Sequence, residues 1–183
     1  MITKYLAEYH VLSAIEHGQI QAKIFRMGNI MPRISDYKFQ LNSSDNAMLS
    51  RLQTIANLGK ITPEYEKLCI DFSPVDLCSI AVMTILKSPR KQTIYHIYNN
   101  HPVTIKDFLK TAKIKTSYVS KEEFVQEIRD LNNPLSYHIL NDLKNETRLT
   151  PVTNSSTIKI LNDKGFYWNK LNKKYIDNLT KLI

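Results

Sequence analysis

Helical and strand patterns alternate along the first part of this chain of 183 residues. An amphipathic pattern over residues 2–17 predicts a helix, and the apolar segment 22–30, which contains Gly28-Asn29 near its end, predicts a strand. A helix that leads within a few residues into an apolar strand is half of a βαβ unit. The pattern therefore predicts an α/β fold.

The alternation continues to about residue 100, after which the segments are mostly helical. Further strands are predicted at 66–72, 93–98 and 116–119. Further helices are predicted at 45–58, 73–86, 104–112, 120–131, 134–144, 153–163 and 171–182. We therefore divide the chain into an α/β part, residues 1–103, which includes an ordered loop over 31–43, and a mostly helical lobe, residues 104–183.

Glycine is scarce, with only four residues in the chain. Neither G-x-G-x-x-G nor G-x-x-x-x-G-K-[ST] occurs. Those loops are the two usual ways of holding a pyrophosphate against backbone N–H groups. Any nucleotide chemistry of this chain therefore needs another piece of polypeptide.

The charge is strongly positive, because 25 Lys and Arg residues face 17 Asp and Glu residues and give a formal charge of +8. The basic residues are scattered, and no nucleic-acid-binding motif accompanies them, so a nucleic-acid partner is not expected. The excess is either plain solvated charge or a surface that attracts an acidic protein or an anionic cofactor.

Several classes of site and location are disfavoured. The chain lacks an apolar run of about 18 residues and a secretory signal pattern, so no membrane span is expected. Cys69 and Cys78 lie in apolar surroundings, which predicts two buried thiols in a reducing cytoplasm. The cysteines and the five histidines lack the spacing of metal ligands, and no metal site is expected.

A set of short segments carries the functional signal. They are Thr3-Lys4 with Glu8, then Arg26-Met-Gly-Asn29, then Arg33, Asp36 and Phe39-Gln-Leu-Asn42, then Phe72-Ser-Pro-Val-Asp76 and Tyr95-His-Ile-Tyr-Asn99. By itself Lys4 is typical of a helix surface, and each other segment is weak alone. Their order and spacing together are more specific.

In this order the segments resemble the C-terminal part of the thioester reductase domains of nonribosomal peptide synthetases, which belong to the extended short-chain dehydrogenase/reductase family. The resemblance implies the C-terminal half of a Rossmann-like fold with a mostly helical substrate-binding lobe. It also implies an NADPH-dependent oxidoreductase. Such an enzyme reduces a peptidyl or acyl thioester on the phosphopantetheine arm of a carrier protein and releases an aldehyde.

The resemblance assigns roles to particular residues. Lys4 is implied in catalysis, because its charge lowers the pKa of a tyrosine that donates to the substrate oxygen, and in holding the nicotinamide ribose. The other implied cofactor-binding residues are Met27, Gly28, Asn29 and Ile30. The implied substrate-binding residues are Arg33, Phe39, Gln40 and Asn42.

One departure from the family pattern concerns the tyrosine, which should lie four residues before Lys4 and so falls one position before Met1. The glycine-rich first turn also belongs upstream. We therefore expect this chain to be the C-terminal part of a larger reductase, to need the upstream Rossmann part, and to be inactive and unable to bind NADPH alone. Two alternatives stay open: part of another extended short-chain reductase or nucleotide-sugar epimerase, and a non-catalytic binding module.

Overall fold

The computed structural model describes residues 2–89, 91–134, 136–145 and 153–183. Helices and short strands are mixed along these segments. The helices are α1 (Ile2–Glu16), α2 (Ala47–Leu58), α3 (Pro63–Glu66), α4 (Val75–Leu86), α5 (Ile105–Ala112), α6 (Lys121–Asp130), α7 (Tyr137–Asn145), α8 (Ser155–Asn162) and α9 (Lys173–Leu179). The strands are β1 (Ile24–Met27), β2 (Ile30–Met31), β3 (Lys60–Ile61), β4 (Cys69–Ile70), β5 (Ser73–Pro74), β6 (Ile94–Ile97), β7 (Val103–Thr104) and β8 (Ser117–Tyr118).

The strands of the described segments pair two by two, and three of these pairs are parallel. The longest pair joins β1 to β6, with Ile24 opposite Ile94 and Met27 opposite Ile97. The pairs β2–β5 and β3–β8 are also parallel, whereas β4 and β7 are antiparallel. This mixture of helices and small parallel sheets confirms the predicted α/β fold class.

Short polar side chains begin several helices. The Asn46 side chain accepts two backbone N–H groups at the start of α2, and Thr104 and Ser120 each accept one at the starts of α5 and α6. Gly59 ends α2 with a φ of 61°, a left-handed conformation that suits glycine. These residues confirm the helix boundaries predicted around them.

Two clusters of buried side chains form the core. The larger cluster gathers α2, α5, α6, α7 and α9 around Phe72 and Phe108, whose ring centroids are 5.5 Å apart. The smaller cluster packs α4 and α8 against β6 around Tyr95 and Trp168. Each cluster contains residues from before and after residue 103, and the division of the chain at that point stays a prediction.

Two predicted strands are wrong in extent. The segment predicted as one strand over 22–30 is divided into β1 and β2, because the chain leaves β6 after Met27 and pairs next with β5. The predicted strand over 66–72 is reduced to β4, because the proline that begins α3 extends helical structure to Glu66. The first difference reflects the choice of partner strand, which is a tertiary property.

The two cysteines differ in their environment. Cys78 is buried in the smaller cluster, as predicted, but Cys69 is exposed, so its predicted burial is wrong. Successive side chains of a strand point to opposite faces. In the two-residue strand β4 the side chain of Ile70 is buried, so that of Cys69 points outward. A further difference is that α7 begins at Tyr137 rather than at residue 134, and residue 135 lies outside the described residues.

Candidate functional site

The end of β1 comes into unusually close contact with two neighbouring side chains. The Gly28 N–H donates to the Ile97 carbonyl over 3.0 Å and so extends the pairing of β1 with β6. A Cβ atom on Gly28 would lie 2.1 Å from Asp71 Oδ2 and 2.5 Å from Tyr98 Cβ. Only glycine therefore fits at this strand end.

The Asp71 carboxylate organises the backbone that follows. It accepts hydrogen bonds from the Asn29 backbone N–H at 2.9 Å, from Asn29 Nδ2 at 2.6 Å and from the Ser73 hydroxyl at 3.0 Å. The Ser73 hydroxyl oxygen in turn accepts a hydrogen bond from the Asn99 backbone N–H at 3.0 Å. We call Asn29, Asp71, Ser73 and Asn99 the strand-end network. It fixes the carboxyl end of β1 beside that of β6, where α/β proteins bind their ligands.

Helix α1 lies beside the face of β1 that points away from the smaller cluster. Arg26 of β1 donates two hydrogen bonds to Glu8 of α1, one of them over 3.1 Å. The hydrogen bond lowers the pKa of Glu8 and raises that of Arg26. His96 lies opposite Arg26 in the strand register, and its pKa is lowered by burial and then by the Arg26 charge. This ion pair therefore joins α1 to β1.

Lys4 is exposed on α1. It precedes Glu8 by four residues, so the two side chains lie on the same face of the helix, about 6 Å apart along its axis. Lys4 therefore lies on the face of α1 that carries the Glu8–Arg26 pair. Met27, at the end of β1, is 38% exposed.

The loop over residues 31–43 is held at its start by Asp76, in the first turn of α4. The Asp76 carboxylate accepts the Ile34 and Ser35 N–H groups, each at 3.1 Å. Burial raises the pKa of Asp76, but the hydrogen bonds from Ile34, Ser35 and Leu77 outweigh burial, and the net pKa is lowered. The sequence resemblance includes Asp76 without assigning it a role, and the structure shows that it fixes the loop.

A second attachment comes from α9. The Tyr175 hydroxyl donates to the Pro32 carbonyl over 2.7 Å, and the Tyr37 ring packs edge-on against the Tyr175 ring at a centroid distance of 6.2 Å. Burial raises the pKa of Tyr175, so its hydroxyl stays a donor at every ordinary pH. The first half of the loop is therefore fixed between α4 and α9.

The four residues implied in substrate binding occupy different environments on this loop. Arg33 forms an ion pair with Asp36 at 2.8 Å, and Phe39 is partly buried against the larger cluster. Gln40 and Asn42 are exposed, with Gln40 Nε2 donating to the Asn42 carbonyl over 3.2 Å. Met27 and Ile30 thus lie at the end of β1 and the start of β2, the four loop residues lie in different surroundings, and Lys4 lies on the separate helix α1.

Sequence reasoning did not name Asp71, and it named Asn99 only within the segment Tyr95–Asn99 without assigning it a role. Each directly follows a short apolar strand segment, β4 for Asp71 and the β6 region for Asn99. A polar residue at the carboxyl end of a strand is the signal that identifies such positions in α/β folds. Within the described residues, no group of three or more His, Cys, Asp or Glu is placed to hold a metal ion. Of the helices described, none is long and apolar enough to cross a membrane.

We expect Asp76→Ala to release the loop, since hydrogen bonds to a charged acceptor contribute about 1.5–3 kcal/mol each. Hydrogen exchange of the Ile34 and Ser35 amides should accelerate by about 10- to 100-fold. Because the folded pKa of Asp76 is lowered, its contribution is complete at neutral pH. It is lost as the pH falls below the ordinary carboxyl value of 3.8.

The matched control for this test is Asp107→Ala, which removes a carboxylate from the first turn of α5 without touching the loop. Its effect should be confined to α5. Unchanged exchange at Ile34 and Ser35 in Asp76→Ala would show that the loop is held by other contacts.

Comparison with known proteins gives structural matches. No protein-family model and no curated protein sequence matches the chain. A thiolation-reductase di-domain from an archaeal non-ribosomal peptide synthetase is 29% identical, with a TM-score of 0.83, over 98% of this chain and 39% of that one. The reductase domain of the aureusimine biosynthetic cluster is 22% identical, with a TM-score of 0.84, over 95% of this chain and 47% of that one.

A more distant match is RMD from Pseudomonas aeruginosa complexed with NADPH. It is 11% identical, with a TM-score of 0.55, over 99% of this chain and 53% of that one. The chain therefore spans about 39% to 53% of the length of these three structures. It has the fold of part of a non-ribosomal peptide synthetase reductase domain, consistent with the C-terminal fragment that the sequence resemblance implied.

Proposed function

We propose that this chain forms the C-terminal part of an NADPH-dependent thioester reductase that releases a carrier-bound peptidyl or acyl thioester as an aldehyde. The observation that carries the proposal is the likeness to the thiolation-reductase di-domain over 98% of the chain. The strand-end network supports it, because it fixes the backbone where the resemblance places the nicotinamide. The cytoplasmic location stays a prediction.

The residues present fit the nicotinamide end of the cofactor. Lys4 offers an exposed ammonium group for the ribose hydroxyls, and Met27 offers an exposed apolar side chain. The sequence holds no glycine-rich loop for the pyrophosphate, so the rest of the site belongs to the upstream part. When bound, NADPH supplies the hydride that adds to the thioester carbonyl carbon.

Negative charge then develops on the carbonyl oxygen, which takes a proton from the upstream tyrosine and gives a hemithioacetal. Its collapse breaks the carbon–sulfur bond, and the products are the aldehyde and the carrier thiol. Lys4 assists because a nearby positive charge lowers the pKa of a tyrosine from its ordinary value of about 10. The role proposed for this chain in the reaction is therefore to position the reacting groups and to supply a positive charge near the tyrosine.

Helix α1 and strand β1 support the need for an upstream partner. None of the residues of α1 is buried, and its apolar side chains Ile2, Tyr5 and Tyr9 are 76%, 70% and 56% exposed. In the described sheet, β1 pairs with β6 alone, which leaves its other edge open for a further strand. The exposed apolar side chains of α1 and the unpaired edge of β1 are both surfaces that the remaining Rossmann part would cover.

The test starts with the native gene upstream of the Met1 codon. We expect an in-frame tyrosine codon directly before Met1 and a glycine-rich turn farther upstream. The longer protein should convert a carrier-bound thioester to an aldehyde with consumption of NADPH, whereas this chain alone should not bind NADPH in isothermal titration. Turnover of a nucleotide-sugar without thioester reduction would favour the epimerase alternative instead. Micromolar binding of NADPH to this chain alone would contradict the proposal that it is a fragment that needs an upstream part.

We also propose that the helical lobe lies on the substrate side, with the loop over 31–43 closing over the pantetheine arm. Arg33→Glu in the longer protein should then slow reduction of carrier-bound thioester at low salt by about 2- to 5-fold, the size of one exposed ion pair. The difference should shrink at physiological salt, where the Debye length is about 8 Å. A small free thioester should be reduced at an unchanged rate.

Arg129→Glu on α6 provides the control, since it reverses an exposed charge away from the loop. It should leave both substrates unaffected. Equal loss on both substrates in Arg33→Glu would assign Arg33 to the fold, through its ion pair with Asp36, rather than to the carrier protein.

A further inference from the structure

A cavity of about 200 Å³ lies between α2, α3, β4 and α5. Its walls are buried apolar side chains of the larger cluster, among them Leu52, Ile55 and Ile105, which are at most 3% exposed. At its mouth lies Cys69, which is exposed. The cavity is therefore an apolar space inside the core with an opening to the surface.

The mouth of the cavity also carries a polar group. Asp142 accepts hydrogen bonds from Tyr65 Oη at 3.1 Å and from Arg51 Nη2 at 3.2 Å, and Arg51 Nε lies 2.8 Å from the same carboxylate. Burial raises the pKa of Tyr65 well above its ordinary value, so its hydroxyl stays a donor. A guanidinium has five N–H donors, and Asp142 holds it through the hydrogen bond from Nη2 and the ion pair at Nε, while Nε itself has no hydrogen-bond partner.

Asn29 connects the cavity to the strand-end network. It lines the cavity, and its backbone N–H and Nδ2 both donate to Asp71. The cavity thus opens beside the residues that follow β1. Under the proposed function, this is the side on which the reacting carbonyl would lie.

The size of the cavity limits what it can hold. A dry apolar cavity of about 150 Å³ is large enough to bind benzene. Sites for whole ligands of drug size start at about 300 Å³. A space of 200 Å³ therefore suits one phenyl or branched alkyl group and excludes a complete peptidyl thioester.

We propose that this cavity binds the apolar side chain of the residue whose thioester is reduced, with Arg51 donating to a carbonyl oxygen of the same substrate at the mouth. The proposal rests on the proposed function for the identity of its occupant. It assigns the choice among substrates to the walls of the cavity, chiefly Leu52, Ile55 and Leu68. Substrates with an aromatic or branched aliphatic side chain are then preferred to those with alanine or glycine.

Cys69 provides a direct readout on this chain without cofactor. Iodoacetamide should alkylate Cys69 and not Cys78, because burial raises the pKa of the Cys78 thiol to about 12. N-acetyl-phenylalaninol and N-acetyl-alaninol share a backbone and differ by the phenyl ring. The phenyl compound should protect Cys69 at a concentration about 10- to 100-fold lower, which is the gain from burying such a group. Equal protection by the two alcohols would overturn the proposal.

Leu68→Trp narrows the mouth at a partly exposed position and should abolish protection by the phenyl compound. Leu171→Trp alters a partly buried leucine packed on the same cluster outside the cavity and should preserve it. If Leu68→Trp fails to fold, the methyl NMR signals of Ile55 and Ile105 in the unaltered chain give the answer. The chemical shifts of these methyl groups should change when the phenyl compound is added. A change confined to other methyl groups would overturn the assignment.

The outcomes separate this inference from the proposed function. A longer protein that reduces thioesters, together with a chain that binds both alcohols equally, would refute the cavity assignment and leave the function standing. Selective binding of the phenyl compound with no thioester reduction by the longer protein would refute the function, and with it the identity of the occupant.

Discussion

Replacing Lys4 with alanine is expected to lower the turnover of the longer reductase by about 10²–10⁴-fold, the usual contribution of acid–base catalysis. The exposed side chain of Lys4 contributes no packing, so the variant should keep its melting temperature. Loss of the positive charge raises the pKa of the neighbouring tyrosine, because that charge favours the phenolate. The alkaline limb of the pH–rate profile should therefore move to higher pH in the variant.

Lys110→Ala on α5 is the matched control, since it removes another exposed helical lysine. It should leave turnover and the pH profile unchanged. Lys4→Arg keeps the charge and should restore part of the activity. Reduction of a model thioester at the normal rate by Lys4→Ala would return Lys4 to the status of an ordinary surface lysine.

Gly28→Ala is expected to destabilise the chain by about 3 kcal/mol, the upper part of the usual range for overpacking. The added Cβ would lie 2.1 Å from Asp71 Oδ2 and 2.5 Å from Tyr98 Cβ, and the second of these neighbours has little freedom to move. For a chain of this length, such a loss lowers the melting temperature by about 6–12 °C. The displaced Asp71 carboxylate would also release the Asn29 amide, whose hydrogen exchange should accelerate.

Gly18→Ala separates crowding from backbone strain. Gly18 has a φ of 69° with nothing within 4 Å of an added Cβ, so alanine there costs only the left-handed strain of about 1–2 kcal/mol. The Asn29 amide should keep its protection in that variant. If the two variants lost the same stability and Asn29 stayed protected in both, close contact at Gly28 would not be the determining factor.

Local patterns in the sequence were sufficient for much of the fold. Helices with a polar first residue, such as those begun by Asn46, Thr104 and Ser120, were predicted well, because the cap and the apolar period lie within one short segment. Gly28 was implied only as a cofactor-binding residue. Its close contacts with Asp71 and Tyr98 were not predicted, because these residues come from segments more than 40 residues away.

Other features depend on contacts that no local pattern contains. Asp76 fixes the loop because the loop over 31–43 returns to the start of α4. The cavity beside Cys69 arises from the packing of α2, α3 and α5, and the apolar residues that line it have the same pattern as any core residue. Sequence periodicity identifies which side chains are buried, and it cannot show where the packing of buried side chains leaves space.

The hydrogen bond from Tyr175 to Pro32 has a consequence for the biosynthesis of the protein. It joins residues 143 positions apart, and its donor lies in the last helix described. The ribosome synthesises the loop over 31–43 before α9, so the loop stays without this anchor until α9 has been made. The loop therefore reaches its final contacts only after α9 has been synthesised, and a change that disturbs α9 should act on a loop more than 100 residues earlier in the sequence.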